Sequence, residues 1–143
     1  MQIYKRVQLK KRELIKLQQD CEDYIWAAVD PVKYSISLGD DYIADLRDCL
    51  LLKRSLPENV FGIGLDMNTG EINYVAQINR RNPTVGGSGK LSIENKAEIE
   101  RVLRYFFEKL PIYRSDNNRD DDSLEDYSDA SIAFCYDNGK IEV

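Results

Sequence analysis

Residues 60–79 read VFGIGLDMNTGEINYVAQIN, and this stretch decides the class of fold. Phe61, Ile63 and Leu65 alternate up to Asp66-Met67-Asn68-Thr69-Gly70, and Ile72, Tyr74, Ala76 and Ile78 alternate beyond it. A period of two sets each run on one face of a strand. Asp66 can accept hydrogen bonds from the turn amides, and Gly70 can take a positive φ at little steric cost. The stretch therefore predicts a β-hairpin. Gly62 and Gly64 strip one face of its first strand, which predicts a bulge or a closely packed backbone.

Working outward, Ser92 caps a helix predicted to run to about Leu110, with Ile93, Ala97, Val102, Leu103, Phe106, Phe107 and Leu110 on its apolar face and Pro111 as its stop. Further on, Ile132, Phe134 and Tyr136 lead into Asp137-Asn138-Gly139-Lys140, and Ile141 and Val143 return, a second hairpin signal. On the other side, Lys33–Leu38 alternates as a strand with Tyr34, Ile36 and Leu38 on one face and a wet face opposite. Asp40 is the expected N-cap of a helix to about Arg54, with Ile43, Leu46, Leu50 and Tyr42 towards the core.

The first 30 residues read as one long amphipathic helix from about Tyr4 to Val29. Val7, Leu14, Cys21 and Ala28 recur every seven residues, Ile3, Leu17 and Tyr24 lie on the neighbouring row, and Pro31 is the stop. At about 39 Å it would overhang a small domain and offer a surface for homodimerisation. The expected order is α-β-α-β-β-α-β-β: one α+β domain over residues 1–143, an antiparallel sheet with helices packed on one face. From Lys33 to Asp137 the order resembles a ferredoxin-like sandwich.

The chain has 143 residues, 31% of them charged, and no run near the roughly 18 apolar residues of a membrane span. The start, MQIYKRVQLKKRE, carries charge where a signal peptide needs an apolar core. Cys21, Cys49 and Cys135 are odd in number, widely spaced and set among apolar neighbours, the pattern of buried thiols in a reducing compartment. Together these predict a cytoplasmic protein with no membrane partner. Residues 1–20 hold six bases against two acids, a net of +4 within a chain of −5, which leaves −9 for the rest. That balance disfavours nucleic acid, whose phosphates need clustered Lys and Arg, and favours a basic partner.

The candidate sites follow from three segments. Residues 115–129, SDNNRDDDSLEDYSD, form an acidic insertion whose Asp116, Asp120, Asp121, Asp122, Glu125, Asp126 and Asp129 can steer a basic protein surface and mimic a phosphate array. Asp116, Asn118 and Asp120 match the first three ligands of a calcium-binding EF-hand loop. Asp121 then replaces the glycine that loop requires and Tyr127 its final Glu, so no metal is expected. The second segment, Asn82 to Lys90, is a glycine-rich connector between strand and helix where Arg80, Arg81, Gly86, Gly87, Gly89 and Lys90 can hold an anion. It is no P-loop, because Thr84 and Leu91 stand where that motif needs Gly and Ser or Thr. Gly87 and Gly89 are similar in spacing to the acyl-CoA loop of the N-acetyltransferase superfamily, with Thr84 in place of its leading Gln or Arg. The third segment is the basic first helix, read as a solvated face, a weak nucleic-acid contact or a partner for acidic groups.

With no histidine in the chain, Ser-His and Cys-His dyads and His-containing zinc sites are excluded within it. The resulting expectation is a small acidic protein working without catalysis or cofactor, a stoichiometric inhibitor or neutraliser of a basic protein, of toxin-immunity or anti-defence type. The alternatives are an enzyme binding phosphate or acyl-CoA through residues 86–90, and a dimeric structural adaptor joined through the first helix.

Overall fold

A computed structural model describes residues 2–39, 42–108, 110 and 112–114. The hairpin forms as read. β4 (Phe61–Asp66) and β5 (Glu71–Tyr74) pair with Ile63 opposite Tyr74 and Leu65 opposite Ile72. Gly70 N–H donates to the Asp66 carbonyl at 2.7 Å, and the Asp66 carboxylate accepts from the amides of Asn68 and Thr69. Gly70 takes φ 81°. The second strand stops earlier than its alternation suggests: Val75 turns the chain, and Ala76 and Ile78 lie on a one-turn helix, α3 (Ala76–Asn79).

The expected first helix is instead three elements: β1 (Gln2–Lys5), α1 (Lys11–Cys21) and β2 (Tyr24–Asp30). Glu22 and Asp23 adopt left-handed conformations, φ 52° and 70°, which end α1 and turn the chain into β2. The seven-residue recurrence misleads because Tyr24-Ile25-Trp26-Ala27-Ala28-Val29 is apolar on both faces. Such a run satisfies a helical or an extended pattern equally well. The buried residues of α1 are Leu14, Leu17, Asp20 and Cys21, while Val7 is 56% exposed.

β2 is central in the sheet. It pairs antiparallel with β3 (Ser35–Gly39) on one edge and with β4 on the other. β3 and β4 are therefore parallel to each other, joined across β2 by α2 (Ile43–Leu52). The full order is β1-β3-β2-β4-β5-β6, where β6 (Tyr113–Arg114) adds a short parallel edge to five antiparallel strands. The fold is α+β, with four α-helices among the described residues, the last of these being α4 (Ile93–Phe106). A ferredoxin-like pairing is not made, because β1 and β2 occupy both edges of β3. The terminal hairpin expected at residues 132–143 lies outside the described residues; the N-cap of α2 is Tyr42 instead of Asp40, and Tyr42, expected towards the core, is 47% exposed.

Helices cover both faces of the sheet, not one. On one face Ile25, Ala27, Val29, Ile36, Leu38, Ile63 and Leu65 meet Leu14 and Leu17 of α1 and Val102, Leu103 and Phe106 of α4. On the other, Trp26 and Ala28 pack under Ile43, Leu46 and Leu50 of α2, with Val60, Val75 and Ile78 alongside. Ser35 and Ser37, expected on a wet face, are fully buried beneath this second layer. Gly62 serves the same layer: a Cβ there would meet Ile78 at 2.8 Å and Ile43 at 3.2 Å. This is the close packing read from the sequence.

Ser92 caps α4 as expected, its hydroxyl accepting from Asn95 N–H at 3.0 Å. Ile93, expected in the core, is 63% exposed, and Leu91 is buried instead. At the start of α1 the Glu13 carboxylate accepts from Lys10 N–H at 2.8 Å and from Lys5 Nζ at 3.1 Å. Burial alone would raise the Glu13 carboxyl, but the bonds from Lys10 and Lys5 and their charges hold it below its ordinary value. A group so lowered stabilises the fold above its unfolded pKa and loses that contribution as pH falls through the native one. Glu13→Ala is expected to cost about 1 kcal/mol near neutral pH. In acid its urea midpoint should converge with that of the parent; a penalty independent of pH would refute the assignment.

Candidate functional site

The acidic segment, with Asp116, Asp120, Asp121, Asp122, Glu125, Asp126 and Asp129, lies outside the described residues. Its weight in the chain is still countable. Nine of the 25 acidic residues fall in residues 115–143, against only Arg119 and Lys140. The remaining 16 acids are set against 18 bases in residues 1–114. The acidity of the whole chain is therefore a property of its last 29 residues.

The glycine-rich connector is an ordered structure with its own internal bonding. Asn82 is buried and donates from Nδ2 to the carbonyls of Glu58 and Val60 at 2.9 and 3.1 Å. Its Oδ1 accepts from the Thr84 amide and hydroxyl at 2.9 and 2.6 Å. Val85 N–H donates to the Asn82 carbonyl, Gly89 N–H to that of Gly86, and Lys90 N–H to the Ser88 hydroxyl. The amides of Thr84, Val85, Gly89 and Lys90 are thus engaged within the loop. Gly89 is buried at φ 77°, and a Cβ there would fall on the Ala76 carbonyl. Gly86 and Gly87 face open space. Arg80, Arg81 and Lys90 are all exposed. At the start of α4, Glu94 occupies the first turn and would repel an anion placed there.

A residue the sequence reading missed is Arg47. It follows Ile43 by one helical turn on α2, and α2 meets α3 where Ile43 and Ile78 close over Gly62. The Arg47 side chain is only 13% exposed. Among the described residues its Nε is buried with no hydrogen-bond partner, and the carboxylate of the adjacent Asp48 stands 3.8 Å from Nη1. The usable signal was a charged residue inside the Ile43, Leu46, Leu50 stripe, next to the buried positions.

The opposite side of α2 borders a shallow groove of about 400 Å³ lined by Gln2 of β1 and by Asp45, Asp48, Cys49, Leu52 and Lys53. Asp45, Asp48, Cys49 and Leu52 follow helical spacing and form one stripe, and Leu52 is 84% exposed. Lys53 Nζ lies 5.1 Å from the centre of the Tyr4 ring.

Among the described residues there is no group of three or more Cys, Asp or Glu side chains able to hold a metal ion, and no helix is long and apolar enough to cross a membrane. Cys21 is buried, its Sγ donating to the Gly39 carbonyl at 3.6 Å, and Cys49 is partly buried, while Cys135 lies outside the described residues. No family model, curated protein or solved structure matches the chain.

Proposed function

We propose that this protein is a non-catalytic binding module that engages a basic protein stoichiometrically, as an inhibitor or neutraliser of toxin-immunity or anti-defence type. The observation that carries this reading is the division of charge: nine acids against two bases in residues 115–143, joined to a body that is nearly balanced. A dense run of carboxylates appended to a balanced domain raises the encounter rate with a basic surface and disfavours like-charged competitors. The exposed face of α2 supports the same reading, since Asp45 and Asp48 flank the exposed Leu52 beside the β1 edge. The phosphate or acyl-CoA reading has less support, since the amides of Thr84, Val85, Gly89 and Lys90 are engaged within the connector and Glu94 stands in the first turn of α4. The adaptor reading loses its seam because Leu14 and Leu17 are buried in the chain's own core.

Co-purification from the native host supplies the partner, and stopped-flow kinetics then test the mechanism. Changing Asp120, Asp121 and Asp122 together to Asn keeps the side chains close to their size and removes three charges. The association rate is expected to fall by about threefold to tenfold at low salt, with little change in dissociation. The salt dependence should flatten, because the lost interactions are those screened over about 8 Å near physiological ionic strength. An unchanged association rate and salt slope would reject the steering role of this segment.

A further inference from the structure

We propose that the outer edge of β1 and the groove beside it take up an extended segment of the basic partner as an added strand, whose groove-facing side chains, one basic and the next apolar, seat against α2. The inference rests on the basic-partner reading and adds to it the mode of contact and the pattern of the segment recognised. Among the described residues β1 pairs with β3 alone and stands at one end of the sheet. In an antiparallel pair every second residue turns its N–H and C=O away from its neighbour, so about half of β1 aims backbone donors and acceptors outward. The usual guards of such an edge are missing. The four residues of β1 contain no proline, their register with β3 runs without a bulge, and Lys5 is folded back onto Glu13 at 3.1 Å.

A strand added to β1 lies about 4.8 Å outside it, under the outer side of α2. That helix returns from the end of β3 to the start of the parallel β4, so it runs against β3 and along β1. Gln2 shares the groove of about 400 Å³ with Asp45, Asp48, Cys49 and Leu52, and Lys53 Nζ reaches over the Tyr4 ring at 5.1 Å. The α2 wall therefore shows two exposed carboxylates towards one end and the 84% exposed Leu52 towards the other. At 1.5 Å per residue the midpoint of Asp45 and Asp48 stands about 8 Å along the helix from Leu52. Same-face side chains of a strand recur about every 6.8 Å. A strand residue facing the carboxylates thus sets the next residue of that face against Leu52. Charge calls for Lys or Arg at the first position, and Leu52 calls for an apolar side chain at the second. β1 supplies only a short ladder, so its backbone fixes the mode of binding while the groove selects the segment.

The test uses the full chain and, as probe, a blocked heptapeptide, Thr-Lys-Thr-Leu-Thr-Lys-Thr, which presents Lys, Leu and Lys on one face in either direction. It should bind saturably, shift the amide resonances of β1 and of the outer face of α2, and slow alkylation of Cys49 as located by peptide mass. A scrambled peptide of the same composition, and one with Glu for Lys, should bind about tenfold more weakly or worse. Changing Asp45 and Asp48 together to Asn should cost about tenfold in affinity for the probe, and Leu52→Ala about threefold. All three positions are exposed, so the variants keep the fold. N-methylation separates strand addition from a simple charge contact. Methylating the Thr amides and methylating the Lys and Leu amides block opposite edges of the added strand, so one such peptide should bind and the other should not. Equal binding by the two, or no saturable response to the unmethylated probe, overturns the proposal. A free protein that sediments as a dimer and dissociates on Leu52→Glu also overturns it, because a second copy then takes the edge. Changing Asp120, Asp121 and Asp122 to Asn tests the steering reading alone. Cys49 protection at saturating peptide should be unchanged in that variant, so the groove and the acidic segment stand or fail separately.

Discussion

Leu17→Ala is expected to destabilise the protein by about 2–5 kcal/mol, while Ile15→Ala on the same helix should change stability by no more than about 0.5 kcal/mol. Leu17 is fully buried between α1 and the sheet, and its removal leaves a cavity that the strands cannot close. Ile15 points outward and is 45% exposed. Trp26 is the only tryptophan and is buried in the layer on the other side of the sheet, so its fluorescence reports unfolding without touching either mutation. Urea titrations of the two variants measure the difference directly. Leu14→Glu extends the test: Leu14 is buried in the same cluster, so a carboxylate there should unfold the chain and not split a dimer into folded monomers. Equal midpoints for Leu17→Ala and Ile15→Ala would mean that α1 presents a different face to the sheet.

The second large effect is expected at Gly89, where Ala should cost about 2–4 kcal/mol. Two independent causes act there. The backbone is left-handed at φ 77°, and an added methyl would collide with the Ala76 carbonyl, a backbone atom that cannot swing aside as a side chain does. Gly86→Ala and Gly87→Ala meet open space and should be neutral or stabilise by up to about 1 kcal/mol through a less flexible unfolded chain. Thermal or urea unfolding of the three variants separates the positions. A glycine-rich loop kept for mobility or ligand contact predicts three similar, small changes in stability. A loop stapled at one point predicts one large change and two small ones. If Gly89→Ala unfolds at the parent's midpoint, the close approach to Ala76 is wrong.

What could be read from the sequence follows from the range of the interactions involved. The β4–β5 hairpin rests on a period-two pattern and on Asp66 and Gly70, whose bonds close within five residues. The Ser92 cap and the Ile43, Leu46, Leu50 stripe are equally local. The glycine-rich segment reads as a strand-to-helix connector, whereas the structure runs it from α3 to α4, and its internal closure is not legible in the sequence. The Asn82 side chain reaches the carbonyls of Glu58 and Val60, more than 20 residues back, and nothing in its neighbourhood announces those partners.

The sequence by itself determined the α+β class, the central hairpin, the bodies of α2 and α4 and the concentration of acid in the last 29 residues. Each is written in near-neighbour pattern or in composition. Only the tertiary structure decided that Tyr24–Asp30 lies inside the sheet, bonded on both edges, and that helices cover both faces. The physical reason is the same in each case. A strand buried on both sides loses the alternation that marks a half-buried one, so its choice between helix and strand is left to the partners that bond its edges. Ser35 and Ser37 look like a wet face until α2 lies over them, and Arg47 looks like a surface charge although its side chain is only 13% exposed in the fold.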